Sequence, residues 1–285
     1  MSIRSGARAR LERVAAMDRR TLVERMAARL AHAFGYRPNV RRIAYQFDRY
    51  SRRLYDSAYA ERDEVGPVNL EVKLERQRLG GPFEPPIVTL VNAAVISLLQ
   101  PGHRRILEIG SGTGMFAWSA GGDGSRAIVA SEFDEPTRRW AIDHRSRPNI
   151  TYCARPLGSF AAREFDLVVA VEVIEHIGSF GPFLRDLSRV ADNAIVSTPN
   201  KHSSAFRSVA RTPPYSEHVR EWTAGEFLWV LRAFYARVDL YTVPSLAAQV
   251  RALERDPGYV PTVAGCSDLS CEEPLLAACA GPLLA

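Results

Sequence analysis

Lysine is nearly missing from this 285-residue chain: Lys73 and Lys201 are the only two, and 35 of the 37 basic residues are arginine. A GC-rich coding sequence explains so uniform a bias without any ligand. The net charge of +5 is therefore little argument for nucleic acid. Cysteine is scarce as well. Cys153, Cys266, Cys271 and Cys279 show no Cys-x-x-Cys spacing, which argues against a zinc site or a disulfide framework. Cys153 and Cys279 sit in apolar, strand-like runs, where a free cysteine packs as a small hydrophobe. No apolar run reaches the ~18 residues of a spanning helix, and the N-terminus has no apolar signal core. The expectation is a cytoplasmic protein with no membrane span. No internal repeat is visible.

The charge that is present is unevenly placed. Residues 1–62 hold fifteen Arg against six Asp or Glu, a balance of +9 that leaves −4 for the rest. Residues 8–34 read as a helix, with Leu11, Val14, Leu22, Met26 and Leu30 near a 3.6 period. A break at Gly35-Tyr36-Arg37-Pro38 precedes a second helix carrying Ile43, Phe47, Tyr50 and Leu54. Residues 63–85, with Gly66-Pro67, Gly80-Gly81-Pro82 and Pro85-Pro86, read as an irregular connector. These features set an N-terminal helical extension or cap over 1–85, before a second domain over 86–285.

That second domain alternates strand and helix. Helices are expected over 87–99, 113–121, 135–145, 182–191 and 223–234. Strands are expected at 105–109, 127–132, 165–171, 194–197 and 235–243, with a last one at 274–279. Alternation of this kind implies a mostly parallel sheet with right-handed crossovers. Phe165 to Val171 reads as a strand covered on both faces. The stretch 244–272 matches no pattern, and its Arg251, Glu254, Arg255 and Asp256 read as solvated surface.

The most informative segment is Arg105-Ile106-Leu107-Glu108-Ile109-Gly110-Ser111-Gly112-Thr113-Gly114-Met115-Phe116. An apolar strand runs into a turn with glycine at every second position, and a helix follows. Glycine permits positive φ and removes the Cβ that would block close approach. The helix start offers unpaired N–H groups. No Lys-Ser or Lys-Thr pair follows, which excludes a P-loop. Glu108, two residues before the first glycine, would repel a pyrophosphate and suits a ligand with positive charge. Glu132, about 20 residues past the turn, stands where a doubly wound fold puts a carboxylate on ribose hydroxyls.

This segment resembles motif I of the class I S-adenosylmethionine (SAM) methyltransferases, whose ligand carries an ammonium and a sulfonium. The resemblance implies an α/β, Rossmann-like fold with a mostly parallel seven-stranded sheet. The final strand would insert antiparallel beside strand 6. It also implies SAM as cofactor, held by Glu108, Gly110, Ser111, Gly112, Gly114, Met115, Glu132 and Phe133, with Glu172 near the methionine amine. After strand 3, Cys153-Ala154-Arg155 lacks the acid that often meets the adenine amino group. After strand 5, Ser197-Thr198-Pro199-Asn200 departs from the motif of amino-group DNA methyltransferases.

Strand 4 exits into Glu172-Val173-Ile174-Glu175-His176. A histidine there suits a base for a hydroxyl acceptor, because its pKa lies near neutrality. Capping the strand-to-helix turn is its structural alternative. With Glu217-His218-Val219-Arg220-Glu221-Trp222-Thr223 further on, the cluster is similar to two metal-using families. These are the small-RNA 3′-end 2′-O-methyltransferases and the ubiquinone-pathway O-methyltransferases acting on catechols. That likeness implies Glu172, Glu175, His176 and His218 as ligands for Mg²⁺ or Mn²⁺, with His176 and Glu175 catalytic. Mixed carboxylate and imidazole ligation suits Mn²⁺ at least as well as Mg²⁺. His202 is a further candidate ligand in a loop context.

The expected function is therefore SAM-dependent O-methylation of a small-molecule or sugar-like hydroxyl acceptor. Three alternatives stay open at this point: an RNA 2′-O-methyltransferase, a non-catalytic SAM-binding protein, and an NAD-linked oxidoreductase. A small-molecule partner is favoured over nucleic acid.

Overall fold

In the computed structural model the chain divides into two compact units, Met1–Asp63 and Glu64–Ala285. The structure describes residues 70, 73–74, 77–78, 83–202, 218–256, 258–271 and 273–283. The helices expected over 8–34 and around 43–54 lie outside the described residues.

The second unit alternates strand and helix as its sequence pattern requires. In chain order it runs α1 (Pro86–Ser97), β1 (Arg105–Ile109), α2 (Met115–Ala120), β2 (Ala127–Ser131), α3 (Glu135–His144), β3 (Ile150–Cys153), β4 (Phe165–Ala170), α4 (Phe180–Val190) and β5 (Ala191–Thr198). It continues with α5 (Ala224–Leu231), β6 (Tyr235–Thr242), α6 (Leu246–Arg255), β7 (Ala264–Gly265) and β8 (Leu275–Pro282). The strands form one sheet in the order β3-β2-β1-β4-β5-β8-β6-β7. β1 to β5 are parallel, and β8 lies antiparallel between β5 and β6.

Both faces of the sheet are covered, and each builds a core. Ile106, Leu167, Val169 and Ile195 turn to one face and pack with Leu90, Ala94 and Val95 of α1 and Phe116 of α2. Leu107, Val168, Ala170 and Val196 turn to the other, with Leu184 and Leu187 of α4 and Phe227 of α5. This is why β4 reads as an apolar run from Leu167 onward: each alternate residue finds its own dry layer, and only Asp166, bonded to Arg104 and Arg105, interrupts it near the start. α3 starts at Asp134, whose side chain accepts from Thr137 N at 2.9 Å. α5 starts on a reciprocal cap between Thr223 and Glu226.

Three details differ from the sequence pattern. The sheet has eight strands rather than seven. The extra one, β7, pairs Gly265 with Tyr241 and Ala264 with Thr242, and two residues are too short to show a period. β5 begins at Ala191, three residues early, because the polar Asp192 and Asn193 mask its start. The unassigned stretch 244–272 contains α6, which buries Gln249 and Leu253 and leaves Arg251, Glu254, Arg255 and Asp256 exposed. Gln249 organises the loop beyond: its amide donates to Pro244 O and Thr262 O, and its carbonyl accepts from Thr262 N and Tyr259 OH. Four satisfied bonds explain a buried glutamine that no apolar period could flag. Among the described residues no helix is long and apolar enough to cross a membrane.

Candidate active site

The carboxyl ends of β1, β2, β4 and β5 converge, and both halves of the site form there. On the donor side, Gly110, Gly112 and Gly114 all have left-handed φ, at 67°, 52° and 77°. The turn is pinned to the end of β2 by Gly110 N and Ser111 N, which both donate to Ser131 O. The glycines serve different ends. A Cβ on Gly110 would sit 2.7 Å from Val173 Cγ2, and one on Gly114 would strike the Tyr152 hydroxyl. At Gly112 a Cβ would meet nothing within 4 Å. Bare backbone facing open space is what a closely approaching ligand needs. The left-handed run also delays α2, which starts at Met115 rather than at 113.

Glu132 is held rigidly beside this turn. Its Oε2 accepts from Gly112 N at 2.8 Å and its Oε1 from Asp134 N at 2.9 Å. Each oxygen keeps a lone pair for a hydroxyl. Phe133 follows at 64% exposure, an apolar surface next to that carboxylate. Glu108 is buried at the end of β1, and its Oε2 has no hydrogen-bond partner among the described residues. Burial pushes its carboxyl up to about 8, with Glu132 adding repulsion, while Ala117 N–H and Arg145 pull the other way. Ser111 Oγ is likewise buried without a partner among the described residues. A ligand with a cationic end and a diol satisfies these groups. SAM fits, and when bound it supplies an activated sulfonium methyl.

The exit from β4 forms the other half of the site. Glu172 has a left-handed φ of 54°, a costly conformation for a residue with a Cβ. Ser197 on β5 holds it there: Glu172 N donates to Ser197 Oγ at 3.0 Å, and Ser197 Oγ donates to Glu172 Oε1 at 2.8 Å. Burial pushes the Glu172 carboxyl up to about 7, against the lowering effect of that Ser197 bond. The turn then carries Glu175 fully inside, at 0% exposure. Its backbone carbonyl accepts from Val219 N and Arg220 N, which brings the segment before α5 against the β4 exit. Neither Glu175 carboxylate oxygen accepts a well-formed hydrogen bond among the described residues, though the Thr198 hydroxyl and the residue's own N–H favour its charged form and His176 Nε2 lies 4.0 Å from Oε1. Burial, then the neighbouring Glu172, drives this carboxyl well above its usual range.

Three of the four expected metal ligands meet. One ligand atom each from Glu175, His176 and His218 lie within 4.8 Å of one another. The His176 and His218 rings meet edge to face with centroids 5.0 Å apart. His218 Nδ1 lies 3.3 Å from Glu221 Oε1, the kind of outer carboxylate that orients a metal-binding imidazole. A buried carboxylate beside two imidazoles is a donor set that fits a divalent cation. Glu172 stands outside this cluster, on Ser197.

Sequence reasoning passed over several residues here. Glu221 had a local signal, its His-x-x-Glu spacing from His218. Ser197 had none beyond standing at a strand end. Lys73, Glu84 and Arg145 had none either, yet they form a buried network on the glycine turn. Lys73 Nζ lies 2.9 Å from Glu84 Oε2, and Arg145 Nη1 lies 3.3 Å from Glu84 Oε1. Thr113 Oγ1 donates to Glu84 Oε1, and Arg145 donates to Thr113 O at 3.1 Å. Burial alone would raise Glu84, but Lys73, Thr113 and Arg145 outweigh it and the carboxyl is lowered. The stretch read as an irregular connector is helical at 73–74 and 77–78.

A mostly parallel sheet with an antiparallel strand between β5 and β6, a glycine turn after β1 and an acid after β2 define a Rossmann-like SAM-dependent methyltransferase. The chain belongs to the methyltransferase-domain family, whose model matches residues 71–252. Among solved structures it is similar to a SAM-dependent methyltransferase of Thermotoga maritima described as a possible histamine N-methyltransferase. That pair shares 15% identity with a TM-score of 0.51, over 67% of this chain and 88% of the other. It is similar also to the methyltransferase domain of bacterial CtHen1-C, at 18% identity and a TM-score of 0.50, over 68% and 98% of the two chains. At these identities the likeness is one of fold. A search of curated protein sequences finds no match.

Proposed function

We propose that this enzyme transfers the methyl group of SAM to a hydroxyl of a small-molecule or sugar-like acceptor, with a divalent cation assisting. The observation that carries the reading is the convergence of Glu175, His176 and His218 within 4.8 Å. A buried carboxylate without well-formed hydrogen bonds is costly unless something pairs with it. A cation held there by Glu175, His176 and His218 would lower the pKa of an acceptor hydroxyl.

The chain's own residues do the rest. Gly112 lets the donor come close to the turn, Glu132 holds its sugar and Glu108 its cationic end. Glu172, fixed by Ser197, serves the methionine amine. Methyl transfer is an in-line displacement, so the main contribution of the protein is to align acceptor oxygen, methyl and sulfur. Were no cation bound, His176, on the open side of the cluster, would itself take the hydroxyl proton; as a metal ligand it has no lone pair left for one.

The test is methyl transfer to a catechol and to its mono-hydroxy analogue, with Mn²⁺ or Mg²⁺ and after chelation. The expected result is turnover of the diol that chelation removes and added metal restores. Equal turnover in the chelated enzyme overturns the metal part of the reading. The metal-type cluster, with the basic balance of residues 1–62 as a subsidiary motive, suggests a second acceptor, the terminal ribose diol of an RNA. Methylation of an RNA 3′ end, with binding that weakens steeply with salt and is lost on deleting 1–62, would decide for it.

A further inference from the structure

Cys266 and Cys271 are five positions apart in a stretch with no recognisable motif, and the fold sets their sulfurs 3.2 Å from each other. A tight turn does this. Asp268 Oδ1 accepts from Ser270 N at 2.9 Å and from Ser270 Oγ at 2.7 Å, and Cys271 N donates to Asp268 O at 3.1 Å. Both ends of the turn are anchored to the sheet region. Cys266 N donates to Leu240 O on β6 at 2.7 Å. Cys271 O accepts from Asn200 Nδ2 at 2.7 Å, just past the end of β5. The two cysteines are half-buried against the core, while residues 267–270 between them are all exposed. Both are free thiols.

We propose that Cys266 and Cys271 are a reversible dithiol–disulfide site that exchanges with low-molecular-weight disulfides of the glutathione type. The Cys266 thiolate attacks one sulfur of the small disulfide, forming a mixed disulfide and releasing one small thiol. Cys271 then attacks the Cys266 sulfur, closing the internal bond and releasing the second small thiol. Two protein thiols are oxidised, one small disulfide is reduced, and the two protons leave on the released thiols. The Cys271 thiol is pushed up to about 12, chiefly by burial and then by Cys266 itself. Cys271 Sγ is also held by Asn200 Nδ2 at 3.5 Å, whereas Cys266 Sγ donates to Asp268 O at 3.2 Å on the exposed side of the turn, so the opening attack falls to Cys266 and Cys271 is the resolving thiol. The pre-folded turn does the remaining work, because the second sulfur is already in contact with the first. Cys279, by contrast, is buried on β8 at 3% exposure.

The experiment incubates the full-length protein in buffers of increasing oxidised-to-reduced glutathione ratio. Free thiols are then trapped by alkylation in acid and mapped by peptide mass spectrometry. The expected result is a fall from four free thiols to two, with a Cys266–Cys271 peptide lighter by two hydrogens, reversed by dithiothreitol. The Cys271→Ser variant should instead stop at one glutathione on Cys266. The proposal is overturned if all four thiols survive the oxidising buffer. It is equally overturned if Cys153 or Cys279 is consumed first, or if the wild type stops at a mixed disulfide as the variant does.

Discussion

Gly110 and Val173 are packed so closely that a β-carbon on the glycine would fall 2.7 Å from Val173 Cγ2. The donor turn and the β4 exit are therefore one packed unit. Val173 lies between Glu172 and the Ile174–His176 turn, so a push at Gly110 is delivered to the acceptor cluster.

Two alanine substitutions in that turn should separate packing from ligand approach. Gly112→Ala meets open space, so its cost to the fold is the left-handed φ, about 1–2 kcal/mol. It should weaken SAM binding tenfold or more, because the new methyl stands where the ligand comes close. Gly110→Ala carries the same strain plus the clash with Val173, and should lower the melting temperature further. Calorimetry and thermal unfolding of both variants check this. A Gly112→Ala protein with wild-type SAM affinity would show that the turn does not face the donor.

Glu108 should make donor binding pH-dependent. Its carboxyl is raised from 4.5 to about 8 by burial. Between those values the folded chain keeps a proton that the unfolded chain has released. This contribution to stability is present below the ordinary carboxylate range and is lost as pH rises through about 8. A cation beside Glu108 favours the ionised form. SAM should therefore bind more tightly at pH 8 than at pH 6, with release of a proton at pH 7. Titrations in buffers of different ionisation heat read that proton directly, and a buffer-independent heat would contradict the role given to Glu108.

Glu175→Gln should part stability from metal binding. The substitution keeps the shape and replaces a buried carboxyl, whose ionisation burial and Glu172 already oppose, with a group that cannot ionise. The metal-free protein should melt no lower than wild type, and higher if desolvation dominates. The stabilisation conferred by millimolar Mn²⁺ should disappear. A variant that still gains stability from Mn²⁺ would remove Glu175 from the ligand set.

Glu84→Ala should destabilise the protein while leaving the acceptor cluster unchanged. The glutamate lies between Lys73 and Arg145, and removing one partner of a buried ion pair costs about 3–5 kcal/mol. Thr113 loses its acceptor at the same time, so the apparent KM for SAM should rise more than kcat falls. An unchanged melting temperature would show that the network contributes no net stability.

Ser197→Ala should cost activity out of proportion to its size. It removes both bonds that hold Glu172 at φ 54°. Turnover should fall at least tenfold, and Ser197→Thr should recover part of it by keeping a hydroxyl. Steady-state kinetics on the two variants, with circular dichroism to confirm folding, decides the point.

The sequence by itself determined the layers and the donor half of the site. Apolar strands, the glycine turn and the acids at strand ends are local patterns. Their consequences are local too: a strand buried on both faces must read as an apolar run, and a backbone that turns left-handed three times within five residues favours glycine. Only the tertiary structure decided which distant groups meet. Lys73 with Glu84 and Arg145, and Glu172 with Ser197, each depend on a hydrogen bond or an ion pair formed after the chain closes. Such pairings leave no period in the sequence, because their partners are chosen by the sheet's strand order and not by spacing along the chain.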